Sequence, residues 1–140
     1  MLQNGKDKNV RNDKLKKMKL LDSNILIYSY QKAYRYLKNL VLDPSNSVSE
    51  ISRLEVLGFH KLSEEERNYL ESVFFILNTI PINKEVIDKA IELRKKYKIK
   101  SNDSIVAATA LLNDLELFTR NTSDFENIEG LKIKNPIDDL

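Results

Sequence analysis

Four carboxylates stand out along the chain, one after a strand, one inside a helix, one in a helix's first turn and one in a loop. Asp22 stops the apolar run Met18-Lys19-Leu20-Leu21, and Glu55 sits among Leu54, Val56 and Leu57. Asp103 opens the alanine-rich stretch that carries Ala107, Ala108 and Ala110, and Asp124 lies in Thr119-Arg120-Asn121-Thr122-Ser123-Asp124-Phe125. The chain has no cysteine, which excludes thiolate zinc sites, iron–sulfur ligation, cysteine nucleophiles and disulfide frameworks. Its one histidine, His60, cannot build a histidine metal cluster. Chemistry is left to carboxylates, hydroxyls, amides and Lys/Arg. Singly, each acid has a plain structural reading: Asp22 as a helix cap, Asp103 as a complement to a helix dipole, Asp124 as an Asx-turn. Glu55 resists one, because a Glu amid the apolar residues of a helix needs a polar cleft to face. Its rival Glu50 is five residues away, a rotation of about 140°, so the two cannot point into one site.

The elements that must position these acids follow from patterning. A short apolar strand ends at Leu21, and Asp22-Ser23-Asn24 supplies helix-start chemistry. Helical pieces over Ile25–Tyr28 and Tyr34–Leu42 lead to the turn Asp43-Pro44-Ser45-Asn46 and a second strand, Ser47-Val48-Ser49. Ile51, Leu54, Val56, Leu57 and Phe59 recur at helical spacing, and Ser63 followed by Glu66 is a capping box opening a helix through Leu77. A third strand is expected over Thr79–Ile82. The helix 84–97 should bury Val86, Ile87, Ala90, Ile91 and Leu93, and Ser101 should cap a helix from Ser104 to Asn113. Leu115–Thr119 and Leu131–Ile133 read as the fourth and fifth strands. Strands alternating with helices argue a parallel sheet covered on both faces, one three-layer α/β domain. In such sheets ligands sit beyond the carboxyl ends of the strands, and the four acids can be brought to that rim.

Charge is unevenly placed. Of 23 Lys/Arg and 21 Asp/Glu in 140 residues, the first 19 residues carry seven basic and two acidic side chains, a local +5 against −3 for the rest. Residues 1–17 have few apolar side chains and read as a disordered basic leader, with the folded domain over 18–140. Between a nucleic-acid-attracting arm and a start upstream of a domain beginning at Met18, the second reading is preferred. No secretory h-region or membrane-length apolar run occurs, so a cytoplasmic location is expected.

Four segments in order resemble the PIN-domain nucleases, and among them the VapC-like toxins of toxin–antitoxin pairs. They are Lys19-Leu-Leu-Asp-Ser-Asn-Ile-Leu-Ile27, Val48-Ser-Glu-Ile-Ser-Arg-Leu-Glu-Val-Leu-Gly58, Asn102-Asp-Ser-Ile-Val-Ala-Ala-Thr-Ala-Leu111 and Thr119-Arg-Asn-Thr-Ser-Asp-Phe125. The ending Gly130-Leu-Lys-Ile-Lys-Asn-Pro136 also fits, so the likeness runs from Met18 to Pro136. It implies a three-layer α/β/α PIN-like fold with strand order 3-2-1-4-5. It also implies Asp22, Glu55, Asp103 and Asp124 as catalytic and metal-binding acids. Where many members have Asp two positions after the strand-end Thr, this chain has Asn121; Asp124 is preferred as the fourth acid, with Asn121 orienting a water. Ser23 and Thr119 match supporting hydroxyl positions.

The resemblance further implies an endoribonuclease that cleaves single-stranded or loop RNA, leaving 5′-phosphate and 3′-hydroxyl ends. Crowded carboxylates raise one another's pKa unless a hard cation compensates, and Mg²⁺ or Mn²⁺ suits an all-oxygen donor set. Arg53, Lys98, Lys100 and Arg120 are candidates to guide the RNA backbone. Tyr28, Tyr30, Tyr34 and Tyr36 suggest a partner surface, consistent with a homodimer and an antitoxin partner. A phosphoacceptor receiver domain fits poorly, because the third strand leads to Pro81-Ile82-Asn83 with no acid to phosphorylate. A nuclease-dead PIN-like scaffold is the remaining alternative, favoured only by Asn121.

Overall fold

Successive residues of the first strand, β1 (Lys19–Leu21), point to opposite faces, and that alternation divides the protein into layers. Leu20 packs with Val86, Ala90, Val106 and Ala107 on one side of the sheet, whereas Leu21 packs with Ile25, Val41, Val73 and Phe74 on the other. The computed structural model describes residues 18–137; the expected leader over 1–17 and residues 138–140 lie outside them.

The other strands are β2 (Ser47–Ser49), β3 (Asn78–Ile80), β4 (Glu116–Phe118) and β5 (Ile133–Lys134). All pairings are parallel and the order is β3-β2-β1-β4-β5, as the resemblance implied. Chain reversal between parallel strands requires crossovers, and helices supply them. They are α1 (Ser23–Ser29), α2 (Lys38–Val41), α3 (Glu50–Leu57), α4 (Glu64–Ile76), α5 (Lys84–Lys96) and α6 (Ser101–Leu112). Ala107, Ala108 and Ala110 are at most 1% exposed, so the small side chains of α6 let it lie close on the sheet.

Several boundaries differ from expectation, each for a local reason. β3 ends at Ile80 and not at Ile82, because Pro81 has no N–H to continue the pairing. The last strand starts at Ile133, since the Leu131 N–H turns back to the Ile128 carbonyl at 3.3 Å. The piece expected over Tyr34–Leu42 is a 3₁₀ helix (Lys32–Leu37) kinked at Tyr34, followed by the single turn of α2. The helix at Ser47-Val48-Ser49's exit stops at Leu57, leaving Phe59 outside it and half exposed. In α5 the buried stripe is Val86, Ala90 and Leu93 only. Ile87 and Ile91, one position further round, are 39% and 48% exposed. Finally, α6 begins at Ser101, three residues before the expected start, with Lys100 in the cap position and no side-chain cap. Ser101 is not the cap; its Oγ instead accepts a hydrogen bond from Arg94 Nη1 at 2.8 Å. The capping box of α4 does form: the Glu66 N–H donates to Ser63 Oγ at 3.1 Å.

Candidate active site

The register of the two central strands sets the first contact of the site. Leu21 lies opposite Phe118 in the parallel ladder, so the next residues, Asp22 and Thr119, emerge side by side at the carboxyl ends. Thr119, fully buried, donates its hydroxyl to Asp22 Oδ2 at 2.8 Å and accepts the Asn121 N–H at 3.0 Å. Asp22 is itself 6% exposed, and its Oδ1 accepts the Ser23 N–H at 2.9 Å as the N-cap of α1. The cap and the site residue are one carboxylate. Ser23 supports it through its backbone N–H.

Glu55 leaves the exposed side of α3, and its Oε2 accepts a hydrogen bond from Asn102 Nδ2 at 2.6 Å. Asn102 adjoins Asp103 in the first turn of α6, so this bond joins the two elements that carry the second and third acids. Asp124 ends a short 3₁₀ helix (Thr122–Asp124) whose return is closed by its own N–H donating to the Asn121 carbonyl at 3.1 Å.

Electrostatics ties the four together. Burial is the main cause that raises the Asp103 carboxyl from 3.8 to about 6, and the charges of Asp22, Asp124 and Glu55 add to it, with Lys100 opposing. Asp22 is also raised, chiefly by burial. The Thr119 and Ser23 hydrogen bonds act against this, and Glu55 and Asp124 push it up again. Asp22 and Asp103, whose charged forms are disfavoured by burial and by the neighbouring acids, make a site in want of a cation. Among the described residues no three of them close into a ready-made ligand cage. The donors are nevertheless all carboxylate oxygens, the set that suits Mg²⁺ or Mn²⁺ and leaves room for waters to complete the coordination.

The basic candidates divide. Lys98 and Lys100 line a cavity whose wall includes Asp103 and Asp124. Arg120 places its guanidinium over the Tyr28 ring at 5.2 Å, and its N–H donates to Asn24 Oδ1 at 3.2 Å beside Asp22. Arg53, also exposed on α3, is paired elsewhere: its Nε donates to Glu50 Oε1 at 2.7 Å. The side chain of Asn121 is exposed, and the residue touches the site through its N–H. Asn102 and Asn24, which hold Glu55 and the loop after β4, carry no signal in sequence beyond their adjacency to Asp103 and Asp22.

The PIN domain family model matches residues 19–131, the greater part of the chain. The chain belongs to the PIN-domain family. No curated protein matches it. Among solved structures, this PIN domain is 32% identical to a chain in a toxin–antitoxin complex from Klebsiella pneumoniae, with a TM-score of 0.70 over 84% of this chain and 97% of the other. VapBC2 from Rickettsia felis bound to a promoter DNA fragment gives 23% identity and a TM-score of 0.70, covering 84% and 98% of the two chains. FitAcB from Neisseria gonorrhoeae gives 23% and 0.70, covering 86% and 98%. The PIN domain therefore has the fold of VapC-like toxins, and its family is one of nucleases. Among the described residues no helix is long and apolar enough to cross a membrane.

Proposed function

We propose that this PIN domain is a metal-dependent endoribonuclease, the toxin of a toxin–antitoxin pair. The observation that carries the reading is that Asp103 and Asp124 line one cavity, Asn102 beside Asp103 holds Glu55, and the charges of Asp22, Asp124 and Glu55 add to burial in raising the Asp103 carboxyl. Asp22 and Asp103 would hold Mg²⁺ or Mn²⁺ directly, and Glu55 and Asp124 directly or through water. When bound, such an ion supplies positive charge at the scissile phosphate and makes water a stronger nucleophile. The chain's own part is to fix the acids. Thr119 and the Ser23 N–H hold Asp22 in place and act against the burial that disfavours its charge, and Asn102 aims Glu55. Lys98, Lys100 and Arg120 offset the repulsion between an acidic rim and a polyanion. Attack of water on phosphorus breaks the bond to the 3′ oxygen, giving a 5′-phosphate and a 3′-hydroxyl.

The toxin assignment is supported by the 32% identical chain, which comes from a toxin–antitoxin complex. We also propose that it is a cytoplasmic homodimer that binds an antitoxin; the toxin–antitoxin complex that holds the 32% identical chain supports the antitoxin partner. Tyr28, Tyr34 and Tyr36, in ring contact at 5.0 and 6.3 Å and all half-buried, offer amphipathic surface for one of these partners. The test is cleavage of a mixed RNA pool with Mg²⁺, Mn²⁺ or EDTA, with product ends mapped and single-stranded DNA as control. Cation-dependent cutting of RNA with the stated ends is expected. Binding of RNA without cutting under every cation would instead establish the nuclease-dead scaffold.

A further inference from the structure

Beside the acids, and sharing Asp103 and Asp124 with them, lies a cavity of about 250 Å³. We infer that it holds the base next to the scissile phosphate in single-stranded RNA, and that Asn127 and Ser123 select that base; this rests on the ribonuclease reading. The volume falls just below the usual range of small-molecule sites, about 300–1,000 Å³, and suits one nucleotide unit and no more. The lining has the parts that a base needs. Tyr97, Ile99 and Ile128 give apolar surface for the ring faces, and Lys98 and Lys100 give positive charge for the flanking phosphates. Asn127 and Ser123 give an amide and a hydroxyl that can meet donor and acceptor edges. Among the described residues none of these four polar side chains has a hydrogen-bond partner, although Lys100 acts on Asp103 through its charge, so their hydrogen-bonding capacity is open to a ligand.

The walls are fixed before any ligand arrives. Arg94 grips the segment bearing both lysines, donating Nε to the Ile99 carbonyl at 3.2 Å and Nη1 to Ser101 Oγ at 2.8 Å. On the other side the Glu129 N–H donates to the Tyr97 hydroxyl at 3.1 Å, and the Ile128 N–H donates to the Phe125 carbonyl at 3.1 Å. A preformed pocket loses little entropy when it binds, so discrimination between bases falls to the groups that line it. A base held there must be unstacked, which a duplex resists.

The test uses RNA with the positions around the cut randomised, and product sequences are read for wild type, Asn127→Ala, Asn127→Asp and Ser123→Ala. Asn127 and Ser123 are exposed, so the variants should fold, which unchanged thermal midpoints would verify. Wild type should prefer one base at one position flanking the cut by about tenfold or more, the scale of a good bidentate contact. Asn127→Ala should flatten that preference, Asn127→Asp should change which base is preferred, and Ser123→Ala should weaken it. Unchanged preference in all variants, no preference in wild type, or loss of all cutting by Asn127→Ala would each overturn the inference while leaving the ribonuclease reading intact. Absence of RNA cleavage by wild type with either cation overturns that reading and the inference with it.

Discussion

Replacing Asp103 with Asn should stabilise the metal-free protein at alkaline pH and destabilise the metal-loaded one relative to wild type. The carboxyl is raised from 3.8 to about 6, so between those values the folded protein keeps a proton that the unfolded chain has released. Stability from this group is fully present below about pH 4 and is lost as pH rises through about 6. At about 1.4 kcal/mol per pH unit, the difference would reach about 3 kcal/mol in a dry site. Asp103 is only half-buried, and solvent screening leaves about 1 kcal/mol. Against this, Asp103 lies in the first turn of α6, where its charge gains about 0.3–0.5 kcal/mol from the helix dipole that Asn would forgo.

The net gain for Asp103→Asn in EDTA at about pH 8 is therefore about 0.5 kcal/mol, or a rise of about 2 °C in midpoint for a domain of this size. At about pH 3, below both values, the group is protonated in the folded and the unfolded chain alike, and the two proteins should melt together. Mg²⁺ at about 100 times its Kd should stabilise wild type by about 2.7 kcal/mol and the variant by much less, reversing their order. The assay is thermal unfolding at the two pH values with Mg²⁺ or EDTA. A variant less stable than wild type in EDTA at the higher pH, or equally stabilised by Mg²⁺, would refute the account of a carboxylate disfavoured by burial and neighbouring acids and relieved by a cation.

Other outcomes follow from the same contacts. Thr119→Val removes the hydroxyl from Asp22 Oδ2 and from the Asn121 N–H, and denaturant unfolding should show a loss of about 1–3 kcal/mol, the cost of unsatisfied buried groups. Asn102→Ala frees Glu55 at little cost in stability, and the Mg²⁺ concentration for half-maximal RNA cleavage should rise about tenfold. Arg94→Lys keeps the charge but loses the two-pronged grip on Ile99 and Ser101, so kcat/KM should fall about tenfold with the thermal midpoint nearly unchanged. Asn121→Ala should be milder than either in a cleavage assay, since a neutral amide adds little attraction for a cation.

What could be read from the chain was whatever is local or ordered. Alternation of apolar runs and helices yields the three layers, and the capping box of Ser63 and Glu66 is a spacing that means the same thing in any fold. The 3-2-1-4-5 order required the family likeness, because periodicity does not say which strands are neighbours. Errors arose where tertiary packing overrides a local rule. Ile87 and Ile91 look as apolar as Val86 and Ala90, yet only the latter pair is buried. Ser101 is a good cap type that Arg94 occupies instead. The pairing of Arg53 with Glu50 on the surface of α3 is likewise a contact that the composition of the segment does not announce. The Asn102–Glu55 bond spans 47 positions, and no spacing rule reaches that far.

The plain and the functional readings of the acids are not rivals. Asp22 caps α1 and Asp103 sits in the first turn of α6, so each stands at a helix start, where negative charge is favoured. That placement is what lets a fold gather repelling acids without coming apart: the helix starts offset part of the repulsion in the absence of any ion, and the part left over is available to drive cation binding. It also bears on the fourth position. Asp124 reaches both Asp22 and Asp103 through its charge, whereas Asn121 touches the site by its N–H and contributes no charge to it. Asp124 therefore both deepens the repulsion at Asp103 and adds to the attraction for a cation, two effects that a neutral amide at Asn121 cannot supply.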